Sequence, residues 1–187
     1  NYTGTIRRTF RITISNGSIY TVNNMRYKVT NAATTGKGTV TLIGSIKKKT
    51  DRKFTALSVV STVKIGGITY NVSAINGNAF FGYTYLKKVV VGNGVKTIGL
   101  NAFYGCKSLT TVIIGNGVTS IGNKVFYGCS KLSSISILSS KITYMGQYSF
   151  SRISTKPVVT VPRSKLTRYK VLLKRSGMPT KAVYKAR

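Results

Sequence analysis

Asp51 is the only acid in this chain of 187 residues, and there is no His. General acid and base catalysis, and the holding of hard or borderline metals, therefore have almost no donors. A serine nucleophile would need a partner base, and no Ser-x-x-Lys elbow stands in a glycine-rich turn; Ser130 and Ser133 do not fit that pattern either. The chain is expected to be non-catalytic, with no metal and no cofactor. Positive charge is abundant, because 30 Lys and Arg give a formal net charge of +29. The chemistry such a field performs is salt-sensitive attraction to polyanions such as nucleic acid, anionic lipid or wall polymers of the teichoic acid kind. Two dense groups are the candidate polyanion contacts, one at Lys47, Lys48, Lys49, Arg52 and Lys53 and one at Arg163, Lys165, Arg168 and Lys170. Residues 152–187 alone carry eleven of the 30 cations.

The elements that must position these groups are written in a repeat. Cys106 and Cys129 are 23 residues apart, and the same interval relates Ile75, Ile98 and Ile121, then Phe80, Phe103 and Phe126, then Leu86, Leu109 and Leu132. Val89, Val112 and Ile135 follow it, as do Val91, Ile114 and Ile137. Ile142, Met145 and Phe150 continue the series with one extra residue, and Val159 and Val161 carry it on. Upstream, Phe54, Leu57, Val59 and Val63 match Leu86, Val89, Val91 and Val95 at an interval of 32. The nine added residues include Gly66-Gly67 between β-formers and read as an inserted hairpin.

Within a unit, Leu109-x-x-Val112-x-Ile114 alternates with period two up to a Gly-Asn-Gly turn, predicting a short strand with Val112 and Ile114 inward. Val118 to Ile121 predicts a second extended piece, and Asn101 to Cys106 reads as one helical turn capped by Asn and Gly. A unit this small cannot bury its own apolar side chains. Stacking in parallel at about 4.8 Å gives the units a shared core. The expected fold is a β-rich solenoid of parallel short strands with short helical turns.

The ends read differently. Tyr20, Val22, Met25, Tyr27 and Val29 flank Asn23-Asn24, and Thr39 to Ile43 follows, so residues 16–53 are expected to form an N-terminal β-hairpin cap. Ser164 is placed to N-cap a helix through Leu166, Tyr169, Leu172 and Leu173 to Gly177, a helical cap over the last rung. The domain reading is therefore 54–161 for the solenoid and 162–187 for a basic C-terminal cap.

Leu109-x-x-Val112-x-Ile114-x-x-x-Val118-x-x-Ile121-Gly122-x-x-Val125-Phe126-x-x-Cys129 resembles the BspA-like class of bacterial leucine-rich repeats, and Ile98 to Cys106 is close to that family's consensus. Departures are Val125 for Ala, Asn76 for Gly, and a last block, Tyr148 to Ser151, that lacks Gly and Cys. The resemblance implies a leucine-rich-repeat solenoid, an extracellular or cell-surface bacterial location, and adhesion or matrix contact. It also implies that the Cys position packs inward as a small hydrophobe. Stacked free thiols at Cys106 and Cys129 are thus the preferred reading over a bridge. Tyr2 to Ile12 is similar to the closing strands of bacterial immunoglobulin-like surface repeats, so residues 1–15 read as the tail of a preceding repeat or a linker, and the chain as part of a larger protein.

Strand residues pointing away from the core form the candidate partner-binding face: Lys87, Lys88, Val90, Thr110, Thr111, Ile113, Ser133, Ser134 and Ser136. Phe80, Phe103, Phe126, Leu86, Leu109, Leu132, Cys106 and Cys129 are expected to be structural. Phe81, Tyr104 and Tyr127 make a third column, read as lateral packing between rungs instead of a sugar or base platform. Three functions remain in order. The first is an adhesion-type module binding protein, matrix or anionic glycan, the second a basic wall-anchoring or structural domain of a larger secreted protein, and the third a nonspecific nucleic-acid binder. The third is disfavoured because no reader element accompanies the charge. No stretch is apolar enough to predict membrane insertion.

Overall fold

The computed structural model describes residues 13–33 and 38–187. The expected immunoglobulin-like tail falls mainly on residues 1–12 and lies outside the described residues. The strands are β1 (Ile19–Val22), β2 (Met25–Asn31), β3 (Thr39–Ser45), β4 (Ala56–Val59), β5 (Thr62–Ile65), β6 (Ile68–Ile75) and β7 (Lys88–Val91). They continue as β8 (Thr97–Ile98), β9 (Thr111–Ile114), β10 (Ser120–Ile121), β11 (Ser134–Ile137), β12 (Tyr144–Met145) and β13 (Val158–Val161), then α1 (Leu166–Arg175) and β14 (Val183–Ala186). Two sheets form, one ordered β1-β2-β3-β6-β8-β10-β12 with β5 on β6, the other β14-β13-β11-β9-β7-β4.

The register is the repeat made physical. Val89 pairs with Val112 and Val91 with Ile114 at an offset of 23, Leu57 pairs with Val89 at 32, and Ile135 with Val159 at 24. The nine added residues form the β5–β6 hairpin, which turns on Gly66 and Gly67 with φ of 55° and 82°. Asn23 and Asn24 turn the β1–β2 hairpin at φ of 49° and 65°, the pair of left-handed residues that a type I′ turn requires. β3 then pairs antiparallel with β2 and parallel with β6.

The inward residues of every rung are buried, including Val112, Ile114, Leu109 and Ile121. Phe80, Phe103, Phe126 and Phe150 stack through the core at centroid spacings of 5.5, 5.5 and 5.4 Å. Phe54 closes the N-terminal end of this column against Phe80 and Tyr83. Cys106 and Cys129 are buried free thiols whose Sγ atoms donate to the carbonyls of Phe80 (3.2 Å) and Phe103 (3.1 Å). Burial pushes the Cys129 thiol well above its ordinary pKa, with the neighbouring Cys106 adding to the shift.

The expected helical turn at Asn101 to Cys106 is absent. The N–H groups of Ala102, Tyr104 and Cys106 close local turns onto Gly99, Asn101 and Phe103, while those of Asn101, Phe103 and Gly105 donate to Asn123, Val125 and Tyr127 of the next rung. A helix would turn these N–H groups along its own axis, and the three bonds from this segment to the next rung would be lost. Asn101 is not an N-cap, because it sits at φ 55° and its amide donates to Asn78 Oδ1. Asn78, Asn101, Lys124 and Tyr148 repeat this left-handed conformation at one position of successive units.

Close stacking also explains a glycine column. A Cβ at Gly99 would lie 2.5 Å from the Gly77 nitrogen, and one at Gly122 would lie 2.8 Å from that of Leu100. Asn76, the equivalent residue facing β3, is exposed and keeps its side chain.

At the C terminus the helix forms, but Ser164 does not cap it. Arg163–Lys165 makes a 3₁₀ turn after Pro162, so Ser164 lies inside that turn and Lys165 takes the cap position without a side-chain bond. Gly177, at φ 86°, ends the helix in a Schellman arrangement, with Met178 N–H on Leu173 and Gly177 N–H on Lys174. Tyr169 is fully buried; its hydroxyl donates to Ser139 O (3.0 Å) and accepts from Ile142 N (2.9 Å), tying α1 to the last repeat. The sheet does not stop at Val161. β14 pairs in parallel with β13, an extension at an offset of 25 that the basic run around Val183 and Tyr184 conceals in the sequence. Among the described residues no helix is long and apolar enough to cross a membrane.

Two measurements check this packing. Tyr169→Phe leaves the buried Ile142 N–H without its acceptor and is expected to lower unfolding stability by about 1–3 kcal/mol in urea titration; an unchanged midpoint would contradict the tie. Both thiols are expected to resist a thiol reagent in the native protein and to react fully on denaturation, whereas no reaction under denaturing conditions would indicate a bridge.

Candidate interaction surfaces

The six-stranded sheet turns one side to the core and the other outward, because its strands alternate with period two. In-register pairing converts that alternation into columns. Lys88, Thr111 and Ser134 lie side by side, as do Val90, Ile113 and Ser136. The predicted face residues are therefore brought together. Lys87, Thr110 and Ser133 are exposed immediately ahead of these strands, and Thr110 Oγ1 donates to the Lys87 carbonyl at 3.1 Å.

Pairing also extends the face beyond its expected limits. Ala56 and Ser58 adjoin Lys88 and Val90, Val158 and Thr160 adjoin Ser134 and Ser136, and Val183 and Lys185 adjoin Val158 and Thr160. The offset of 32 could have found the first pair, and the 24-residue step the second. Six strands at about 4.8 Å span about 24 Å across the sheet. Val90 and Ile113 are half-buried by their lateral neighbours, while Lys88 and Ser134 stand exposed. The surface is a band of hydroxyls and β-branched apolar groups with a lysine towards either side.

Phe81, Tyr104 and Tyr127 stack at 4.8 and 5.0 Å with their ring planes within 4° and 19° of parallel. Lys49 lies over the free face of Phe81 at 5.4 Å and Arg152 over that of Tyr127 at 5.2 Å. Neighbouring rings or cations thus face the rings of this column, which offers no open platform on which a base or sugar could stack.

The two predicted basic groups lie far apart. Lys47 to Lys53 form the loop between β3 and β4, where Lys47 pairs with Asp51 at 3.8 Å and Arg52 lies 5.8 Å from the ring centre of Tyr85. Arg163, Lys165, Arg168 and Lys170 follow β13, four parallel strand steps away, about 19 Å along the stack. Nor do the last four form one cluster. Arg168 and Lys170 are two residues apart on α1 and so differ by about 200° around its axis. Lys170 turns towards β14, with Nζ 5.6 Å from the Tyr184 ring centre.

The fold itself is shared with known proteins. A leucine-rich repeat protein from Bacteroides capillosus is 22% identical, with a TM-score of 0.56, over 68% of this chain and 88% of its own. A leucine rich cell surface protein from Faecalibacterium prausnitzii is also 22% identical, with a TM-score of 0.55, over 78% of this chain and 45% of its own. The pneumococcal vaccine antigen PcpA is 16% identical, with a TM-score of 0.53, over 81% of this chain and 46% of its own. The matched region thus spans about half the length of the last two. No match is found among curated proteins. The family described as BspA type leucine rich repeat region matches residues 47–170 in six copies. With its 23-residue register, its parallel stacking and that match over most of its length, the chain belongs to the BspA-type leucine-rich repeat family.

Proposed function

We propose that this chain is a non-catalytic interaction module displayed outside a bacterial cell, binding a protein, matrix or anionic glycan partner. The outer face of the six-stranded sheet carries this reading. Its residues sit in aligned columns, and Val90, Thr111, Ile113, Val158 and Thr160 are β-branched, so they lose little rotamer freedom on binding. Lys87, Lys88, Val90, Thr111, Ile113, Ser134 and Ser136 are assigned to the contact. The cell-surface description of the Faecalibacterium relative agrees with an extracellular setting.

In this reading residues 1–15 are the tail of a preceding repeat or a linker, 16–53 an N-terminal β cap, 54–161 the solenoid and 162–187 a basic C-terminal cap. β1–β3 and α1 protect the end rungs, whose strand edges and core would otherwise meet water. The net charge of +29 adds attraction to anionic polymer through Lys47, Lys48, Lys49, Arg52, Lys53, Arg163, Lys165, Arg168 and Lys170. Anchoring to the cell wall is the second reading, supported by the eleven cations of residues 152–187. Nonspecific nucleic-acid binding is third, because the stacked column of Phe81, Tyr104 and Tyr127 turns its ring faces to one another and to Lys49 and Arg152.

The test measures binding of the full chain to an immobilised panel of extracellular-matrix proteins. Val90→Lys with Ile113→Lys is expected to weaken binding by at least tenfold, about 1.4 kcal/mol. Unchanged binding, together with loss on replacing Arg163, Lys165, Arg168 and Lys170 by Gln, would reject the sheet face in favour of anchoring.

A further inference from the structure

The structure places a second set of cations around a cleft that no repeat position announces. After Phe150 the last repeat turns through Ser151 and Arg152, and α1 returns to the same place. Phe150 N–H donates to Ser176 O at 3.0 Å, and Gly177 packs so tightly on Ser151 that a Cβ there would collide with the serine hydroxyl. Between this turn and the chain leading to β14 lies a cleft of about 450 Å³ whose walls include Arg152, Thr155, Thr180 and Lys181. A second cleft, of about 300 Å³, shares Pro179 and Thr180 with it and is lined by Lys170, Lys174 and Tyr184.

The position of Arg152 is informative. It holds the place of Gly82, Gly105 and Gly128, all at φ of about 70°, and adopts φ 56° itself. A side chain in that left-handed conformation is strained, so the turn tolerates a strained residue where its predecessors have glycine, and the residue is a cation at the rim of the cleft. The only acidic side chain of the whole chain, Asp51, lies in the β3–β4 loop at the other end of the stack and pairs with Lys47. The four cations around the paired clefts therefore have no carboxylate side chain to neutralise them.

We infer that the paired clefts bind an extended polymer of sugar or polyol units bearing sulfate or phosphate groups. Arg152, Lys170, Lys174 and Lys181 grip the oxyanions. The hydroxyls of Thr155 and Thr180 meet the oxygens between them, and Pro179 supplies the apolar floor for the carbons. Nucleic acid fits less well, because Tyr184, the aromatic in the clefts, is half-buried and already has Lys170 over its ring. This inference rests on the polyanion part of the proposed function and gives it a location that Arg163, Lys165 and Arg168 do not share.

The experiment uses the full chain and three probes of matched charge: dextran sulfate, poly(glycerol phosphate) and a DNA duplex. Arg152→Gly/Lys174→Gln/Lys181→Gln is compared with Lys96→Gln/Lys107→Gln/Lys131→Gln, a charge-matched change at exposed residues elsewhere. The cleft variant is expected to bind dextran sulfate or poly(glycerol phosphate) at least tenfold more weakly at 0.15 M salt, with its salt slope reduced by about 2–3; the control should change less than twofold. Which of the two polymers binds more tightly identifies the oxyanion. Equal losses in both triple variants would overturn the cleft while leaving diffuse attraction in place, and equal competition by DNA would overturn the polymer class. Absence of wild-type binding to every probe at 0.05 M salt would overturn the polyanion reading as well. Lys181→Gln alone, at an exposed residue beyond the helix, repeats the test with a readout of about threefold should the triple variant lose its fold.

Discussion

Everything in this molecule depends on rungs lying directly on one another at strand spacing. The backbone bonds that enforce this are shared between the strands and the loops: in the turn after β8, alternate N–H groups close local turns and the others reach the next rung. The same closeness governs side chains. Where two loops nearly touch, as at Gly99 and Gly122, there is room only for hydrogen. Where side chains do stand, they meet their own kind one rung away, which is why the phenylalanines form a continuous column.

That arrangement lets a chain of +29 fold. Among the described residues, no Lys or Arg side chain is buried, and many cations project into water, where screening limits their repulsion to about a Debye length. Burial of the Leu, Val, Ile and Phe ladder supplies the opposing drive, at roughly 25 cal/mol per Å² of apolar surface. Some cations are further used against rings, as with Lys49 and Arg152 at the two ends of the outer aromatic column. This column is held by mutual stacking, so its rings serve packing between rungs and not a binding platform.

The ends show how a repeat is stopped. β3 joins the array in parallel but reverses into β2 and then β1, exchanging stacked rungs for antiparallel hairpins. At the other end the chain leaves the 23-residue pattern, inserts α1 with Tyr169 bonded to the last repeat, and lays β14 on β13. The last unit also abandons Gly and Cys: Arg152 and Ile153 take their places, and Ile153 remains buried. Relaxed pattern at a terminal repeat is expected, because one of its faces meets a different neighbour.

The period, the inward residues, both hairpin turns and the outward face could be read from the residues alone, because each follows from local chemistry repeated at a fixed interval. Gly66-Gly67 and Asn23-Asn24 tolerate left-handed backbone, and Val112 and Ile114 alternate with polar neighbours. Tertiary structure decided what depends on the adjacent rung. Asn101 to Cys106 looks like a helical turn in isolation, yet half its N–H groups find acceptors 22 residues on. Ser164 looks like a cap, yet Pro162 and the 3₁₀ turn draw it into the segment before the helix. Arg152, Lys174 and Lys181 share no motif, and only the return of α1 onto the last repeat brings them, with Lys170, to two adjoining clefts.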